Sequence, residues 1–302
     1  MKKLTALFAL LVLALSTAFA APEAARGVFE KTYDYKDFTD LSIANAFHVE
    51  LTFADGWNIE VQTPDFLEPY LRVEYADNKL QIGLEKIPTE LQRKLSDRAD
   101  QLQARITMPT LHRLHLSGAS TLVTKGKLDV GDQNLRIQLS GASELNSSDI
   151  RGRDKLTLEL SGAAKADIDM GFPTVDFDIS GASRLRFYGN AKELSVECSG
   201  ASSAQIDGCY EEVEATVSGS SKLNFGKNVD KLTLVQSGAS KVDIAGTTDE
   251  GNVELAGVSR CSLSVKEKLR YDISGVSTLL VKDLGASIKG SAERGSKIQV
   301  SR

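Results

Sequence analysis

A Ser-Gly-Ala-Ser run stands at Ser117–Ser120 and returns, in close variants, to the end of this 302-residue chain. Three kinds of site use such a run: a serine nucleophile, a phosphate-cradling loop, or a structural corner. A nucleophile elbow needs Gly-x-Ser-x-Gly and a histidine partner, and here the glycine spacing is wrong. No glycine-rich loop leads from a strand into a helix, so a nucleotide site is unsupported. A motif repeated nine or ten times is also a poor single catalytic centre. The corner reading remains. Glycine takes a backbone conformation that other residues resist, and alanine fits inside the bend. The serines can bond to one another or to backbone groups one copy away.

The three histidines are His48, His112 and His115. Strand residues three apart face opposite sides, so His112 and His115 do not make a metal pair. The repeat lacks the Asp-containing nonapeptide of calcium-binding β-rolls. No metal and no cofactor is expected. Cys198, Cys209 and Cys261 have no metal-binding spacing, and an odd number of cysteines leaves at least one unpaired. Cys198 and Cys261 occupy slots otherwise held by Leu, Ile or Val, which reads as core packing.

Charge follows the repeat. The second residue before the motif holds Glu159, Asp178, Glu197, Glu254 and Asp272, five of nine copies. The residue after the motif holds Lys165, Arg184, Lys222, Lys241, Arg260 and Lys297, six of ten. Stacked, these become an acidic and a basic column on either side of one corner. Like charges opposite one another repel, and Asp167 and Asp243, two residues after Lys165 and Lys241, are placed to compensate. Two readings fit. One is a solvated charge lace that keeps the protein soluble. The other makes the basic column a binding track for an extended polyanion such as an acidic glycan. Catalysis by acidic-column carboxylates needs a walled cleft, and the repeats carry no long side loops.

The elements that place these residues follow from the motif glycines Gly118, Gly141, Gly162, Gly181, Gly200, Gly219, Gly238, Gly257 and Gly275. Their spacings are 23, 21, 19, 19, 19, 19, 19 and 18, with a degenerate copy at Arg294–Val300. Apolar residues alternate on both sides of each glycine, which predicts two short strands meeting at a corner. Nineteen residues leave room for a third short strand. Such a unit buries its apolar face only by stacking. The fold class is therefore all-β, a right-handed parallel β-helix of about ten coils. At about 4.8 Å per coil it is roughly 45–50 Å long.

Ahead of the repeats, 21–110 reads as an irregular, strand-rich cap, with 111–302 as the repeat body. Phe47–Phe53, Trp57–Thr63, Leu71–Leu84 and Ala104–Pro109 alternate as strands, with a hairpin turn at 76–78. The corner motif is missing from this part. A helical insertion is expected near 87–103, with Pro88 at its start and Leu91, Leu95 and Leu102 on one side. Residues 1–20 read as a signal peptide: Lys2 and Lys3, the apolar run Leu4–Leu15, then Ala18-Phe19-Ala20. Removing the two lysines takes the net charge from −5 to −7. That acidity argues against nucleic-acid binding. No second apolar run follows and no cysteine flanks the cleavage site. A soluble exported protein, periplasmic or at the cell surface, is expected.

The strand "ANAFHVELTF", the hairpin "LRVEYADNKLQIGL", the junction "ITMPTLHRLHLSGAST" and the SGAS copies after it resemble the putative autotransporter adhesin, head GIN domain family of bacterial exported proteins. The resemblance covers nearly all of the chain from Phe29. It implies a right-handed β-helical fold, a role at the cell surface or in the periplasm, and no established enzyme activity. The 87–103 insertion looks longer than is usual for the family, and no membrane-barrel translocator is recognised. Three functions follow as expectations: adhesin-like binding of a glycan or surface partner, with Lys165, Arg184, Lys222, Lys241, Arg260 and Lys297 as ligand contacts; a polysaccharide lyase or hydrolase; or a structural protein with weak self-association at the C-terminal end.

Overall fold

In the computed structural model, residues 27–96 and 98–302 are described. The expected signal peptide lies outside them. The described chain forms a parallel β-solenoid of about ten turns. Each regular turn gives one strand before the corner glycine and one after it, and corresponding strands of successive turns pair in parallel.

Alternation decides what each strand buries. In the pre-corner sheet Ile43, Leu116, Leu139, Leu160, Ile179, Cys198, Val217, Gln236, Leu255 and Ile273 follow rung by rung. None is more than 2% exposed. In the post-corner sheet Leu185, Ala204, Leu223, Val242 and Cys261 make a second buried column. Each large apolar side chain so buried contributes about 1.5–3 kcal/mol relative to exposure. Cys198 and Cys261 are core residues, as their slots predict.

The nine motif glycines all have φ between 69° and 76°. From Gly141 onward the amide after each glycine donates to the glycine carbonyl one turn below, as Ala182 N–H does to Gly162 O at 2.7 Å. The last serine of the motif points inward: Ser120, Ser143, Ser183, Ser202, Ser221, Ser240, Ser259 and Ser277 are all buried. Their hydroxyls bond within the column, Ser202 to Ser221 at 3.2 Å and Ser259 to Ser277 at 3.1 Å, or to corner carbonyls. Ser183 Oγ has no partner, and Ala164 supplies no hydroxyl on the rung below it. The third side is one or two residues deep, with Ala191, Tyr210, Val229 and Thr248 paired in turn.

The N-terminal region lacks the motif yet contains a corner. Asn45 takes it, at φ 73°, and its carbonyl accepts the Ala119 amide. Asn45 is in the left-handed region that Asn tolerates better than most residues. Its Oδ1 accepts the Leu84 amide at 2.7 Å. The strands Asp40–Ile43 and His48–Phe53 are thus a true turn. Beneath it lie Lys79–Leu84 and Gln103–Met108, which come later in the chain. The helix Thr89–Ser96 and the 3-10 turn Ala99–Gln101 lie between these two strands, where other turns have the tight corner. Antiparallel strands close both sheets: Leu71–Ala76 against Lys79–Leu84, and Asn58–Pro64 against Gln103–Met108, with Val28–Tyr33 outside it. The turn at Asp77 and Asn78, both at positive φ, makes the expected hairpin.

Candidate functional site

Because Ala166, Leu185, Leu223, Val242 and Cys261 point inward, the residue before each must point out. Lys165 pairs with Arg184, Arg184 with Ser203, Ser203 with Lys222, Lys222 with Lys241, and Lys241 with Arg260. Thr278 then separates Arg260 from Lys297. The structure therefore brings the six cations into one column with two breaks. All six are exposed.

Compensation is sparser than the spacing suggests. Lys165 meets Glu144 at 3.7 Å. Asp167 pairs with Arg186 at 3.6 Å rather than with Lys165. Asp243 accepts a hydrogen bond from Ser262 rather than pairing with Lys241. Lys222, Lys241 and Arg260 stand on three consecutive rungs, and none forms an ion pair among the described residues. At about 4.8 Å per rung this is a short, uncompensated positive ladder.

The acidic column is differently arranged. Glu159, Asp178 and Glu197 are consecutive, Thr216 and Val235 interrupt, and Glu254 and Asp272 resume. Glu159 is held by Arg136 and by Gln138 Nε2 at 2.7 Å, and Asp272 accepts from Ser291 Oγ at 2.7 Å. A groove of about 360 Å³ runs along this face between Asp176, Glu193, Glu212 and Glu214. Lys155 pairs with Asp176 there. Among the described residues no three His, Cys, Asp or Glu side chains are grouped to hold a metal ion.

A second set of glycines, outside the SGAS motif, lies on the opposite edge at Gly189, Gly208, Gly226 and Gly246, where Gly208 stacks on Gly189, Gly226 meets Asp207 and Gly246 meets Lys227. Their φ values are ordinary, and the constraint is crowding. A Cβ on Gly208 would run into Gly189 O, and one on Gly246 into the Lys227–Asn228 peptide. Side chains of Asn190 and Asn228 accept the Cys209 and Thr247 amides at 2.8 and 3.0 Å and hold these turns. Grooves of about 510 and 600 Å³ lie beside these turns. The signal was available in "YGNA", "DGCY", "FGKN" and "AGTT", which recur about once per repeat.

Fold and surface together define a β-solenoid that presents repeated, outward-facing charged side chains. Comparison is consistent with this class. The chain belongs to the family described as putative auto-transporter adhesin, head GIN domain, whose model matches residues 37–211. The unpaired Lys222–Lys241–Arg260 ladder lies C-terminal to that stretch. Among solved structures, a putative adhesin from Parabacteroides distasonis is 16% identical with a TM-score of 0.53, covering 91% of this chain and 97% of its own. A putative adhesin from Parabacteroides merdae is 14% identical with a TM-score of 0.49, covering 92% and 97%. A putative lipid binding protein from Parabacteroides distasonis is 11% identical with a TM-score of 0.46, covering 92% and 98%. The first of these similarities supports the solenoid fold. No curated protein matches the chain. Among the described residues no helix is long and apolar enough to cross a membrane.

Proposed function

We propose that this is an exported, non-enzymatic adhesive protein that binds an acidic glycan along its post-corner face. The observation that carries the reading is the Lys222–Lys241–Arg260 ladder without ion-pair partners. Like charges stacked at about 4.8 Å repel, so the arrangement costs stability that a bound polyanion would recover. Arg184 and Lys297 continue the track beyond its breaks. The net acidity of the chain directs such a ligand to this face rather than to the rest of the surface. The carboxylate column supports binding over catalysis, because its members lie along a repeating sheet face and two of the five, Glu159 and Asp272, are already held by neighbours.

The test is retention of residues 21–302 on acidic and neutral glycans at low and high salt. Salt-sensitive retention of an acidic glycan is expected, with loss in a variant carrying Lys222→Ala, Lys241→Ala and Arg260→Ala. Absence of acidic-glycan retention, or its persistence in that variant, overturns the reading.

A further inference from the structure

A groove beside this second set of glycines is lined by an exposed aromatic ring. Tyr188 ends the strand Arg184–Tyr188 and is 42% exposed. Parallel register places Asp169 one rung below it and Asp207 one rung above. At about 4.8 Å per rung, the two carboxylates flank the ring at backbone positions roughly 10 Å apart. Gly171, Gly189 and Gly226 line the groove beside them, so bare backbone takes the place of side chains there. Packing already explains two of these glycines: a Cβ on Gly189 would strike Met170 O, and one on Gly226 the Asp207 carboxylate. An accessible floor is the consequence.

Charge distinguishes this groove from the basic ladder. Arg151 Nη2 donates to Asp169 Oδ1 at 2.9 Å, and Gln205 Nε2 donates to Asp207 Oδ2 at 3.0 Å. With Lys227 also at the groove, two cations face two carboxylates and the formal charges cancel. A lining with no net formal charge gives no overall preference for an ion of either sign. What remains is a π face, donors and acceptors in close alternation, and a volume of about 600 Å³. Ligand sites of that size are typical for small molecules.

We propose that this groove binds neutral pyranose units of a saccharide. The electron-rich face of Tyr188 matches the polarised C–H face of a sugar ring. Hydroxyls at the ring's edge donate to Asp169 and Asp207 through charge-assisted hydrogen bonds. The site is on a different edge from the basic ladder, and it does not depend on the polyanion reading.

Maltohexaose, cellohexaose, mannohexaose and chitohexaose are the probes, with binding followed by saturation-transfer NMR and calorimetry at low and high salt. At least one should bind, with affinity changing less than twofold across the salt range. Tyr188→Ala should weaken it tenfold or more, Tyr188→Phe should retain it, and Asp207→Asn should weaken it severalfold. The Lys222/Lys241/Arg260 triple alanine variant should bind it like the wild type while losing acidic glycans. The proposal is overturned if none of the four binds, if salt abolishes binding, or if Tyr188→Ala and Asp207→Asn, both melting like the wild type, bind unchanged. Should Tyr188→Ala fail to fold, Asp207→Asn alone decides.

Discussion

The carbonyl oxygen of Gly181 lies 2.6 Å from where a Cβ on Gly200 would stand, and the Ala201 amide donates to that same oxygen at 2.8 Å. The two facts have one cause. A corner tight enough to make that hydrogen bond between turns brings backbones too close for any side chain. Left-handed φ at Gly200 is thus only half of its glycine requirement.

Gly200→Ala should therefore be worse than an ordinary glycine substitution at positive φ. Gly131, at φ 67°, is the comparison: a Cβ there would come no nearer than 3.7 Å to its surroundings, at Arg153 Nη1. Gly131→Ala should cost about 1–2 kcal/mol from conformation alone. Gly200→Ala should cost about 3–5 kcal/mol, because overpacking adds to it. Urea unfolding of the two variants checks this, and equal losses would show that crowding contributes nothing.

Gln236 breaks the pre-corner apolar column between Val217 and Leu255 and is 1% exposed. Its Nε2 donates to Arg260 O at 3.1 Å, while Oε1 has no partner. Gln236→Leu should raise stability by about 1 kcal/mol, since an unpaired buried polar atom is removed. A lower melting temperature would mean that the bond to Arg260 outweighs the orphaned oxygen.

Burial pushes the Cys198 and Cys261 thiols up to about 12, and neighbouring carboxylates act in the same direction. Cys209, next to Gly208, is exposed. The thiolate is the reactive form. Ellman's reagent at pH 8 should titrate one thiol per native chain and three in denaturant, with the native reaction lost in Cys209→Ser.

Desolvation, then the charge of Lys79, holds the His115 imidazole below its ordinary value of 6.5. Between that value and the lower folded one, the unfolded chain takes up a proton that the native chain resists. Stability should accordingly fall as pH drops through this window and stop falling below the folded value. His115→Gln should flatten the slope, and Gln138 already occupies the next rung. Asp283 acts in the carboxylate range instead. The Gly285 and Ala286 amides hold its carboxyl low, and its contribution is lost as pH falls through that lowered value. Urea midpoints measured across pH separate the two.

Stacked like charges predict a salt signature as well. Lys241→Ser, which repeats the Ser203 break, should stabilise the free protein by a few tenths of a kcal/mol at low ionic strength. The gain should vanish in high salt, where screening removes the repulsion. A loss at low salt would show that the ladder is compensated in solution.

Much of this protein was legible in its sequence because its structure repeats local rules. The period of the motif glycines set the solenoid. Period-two alternation placed Cys198 and Cys261 inside and put the six cations in one outward column.

Tertiary structure alone decided the rest. Asn45 serves as a corner because it belongs to a turn beneath Gly118, which no SGAS spelling announces. The strands Lys79–Leu84 and Gln103–Met108 pair beneath a turn that precedes them in the chain, a long-range choice invisible to local pattern. Asp167 and Asp243 sit beside lysines in sequence yet bond to Arg186 and Ser262, residues of the next turn. The Tyr188 groove likewise exists only after three turns are in register. Alternation fixes which way a side chain points, and register between turns fixes what it meets.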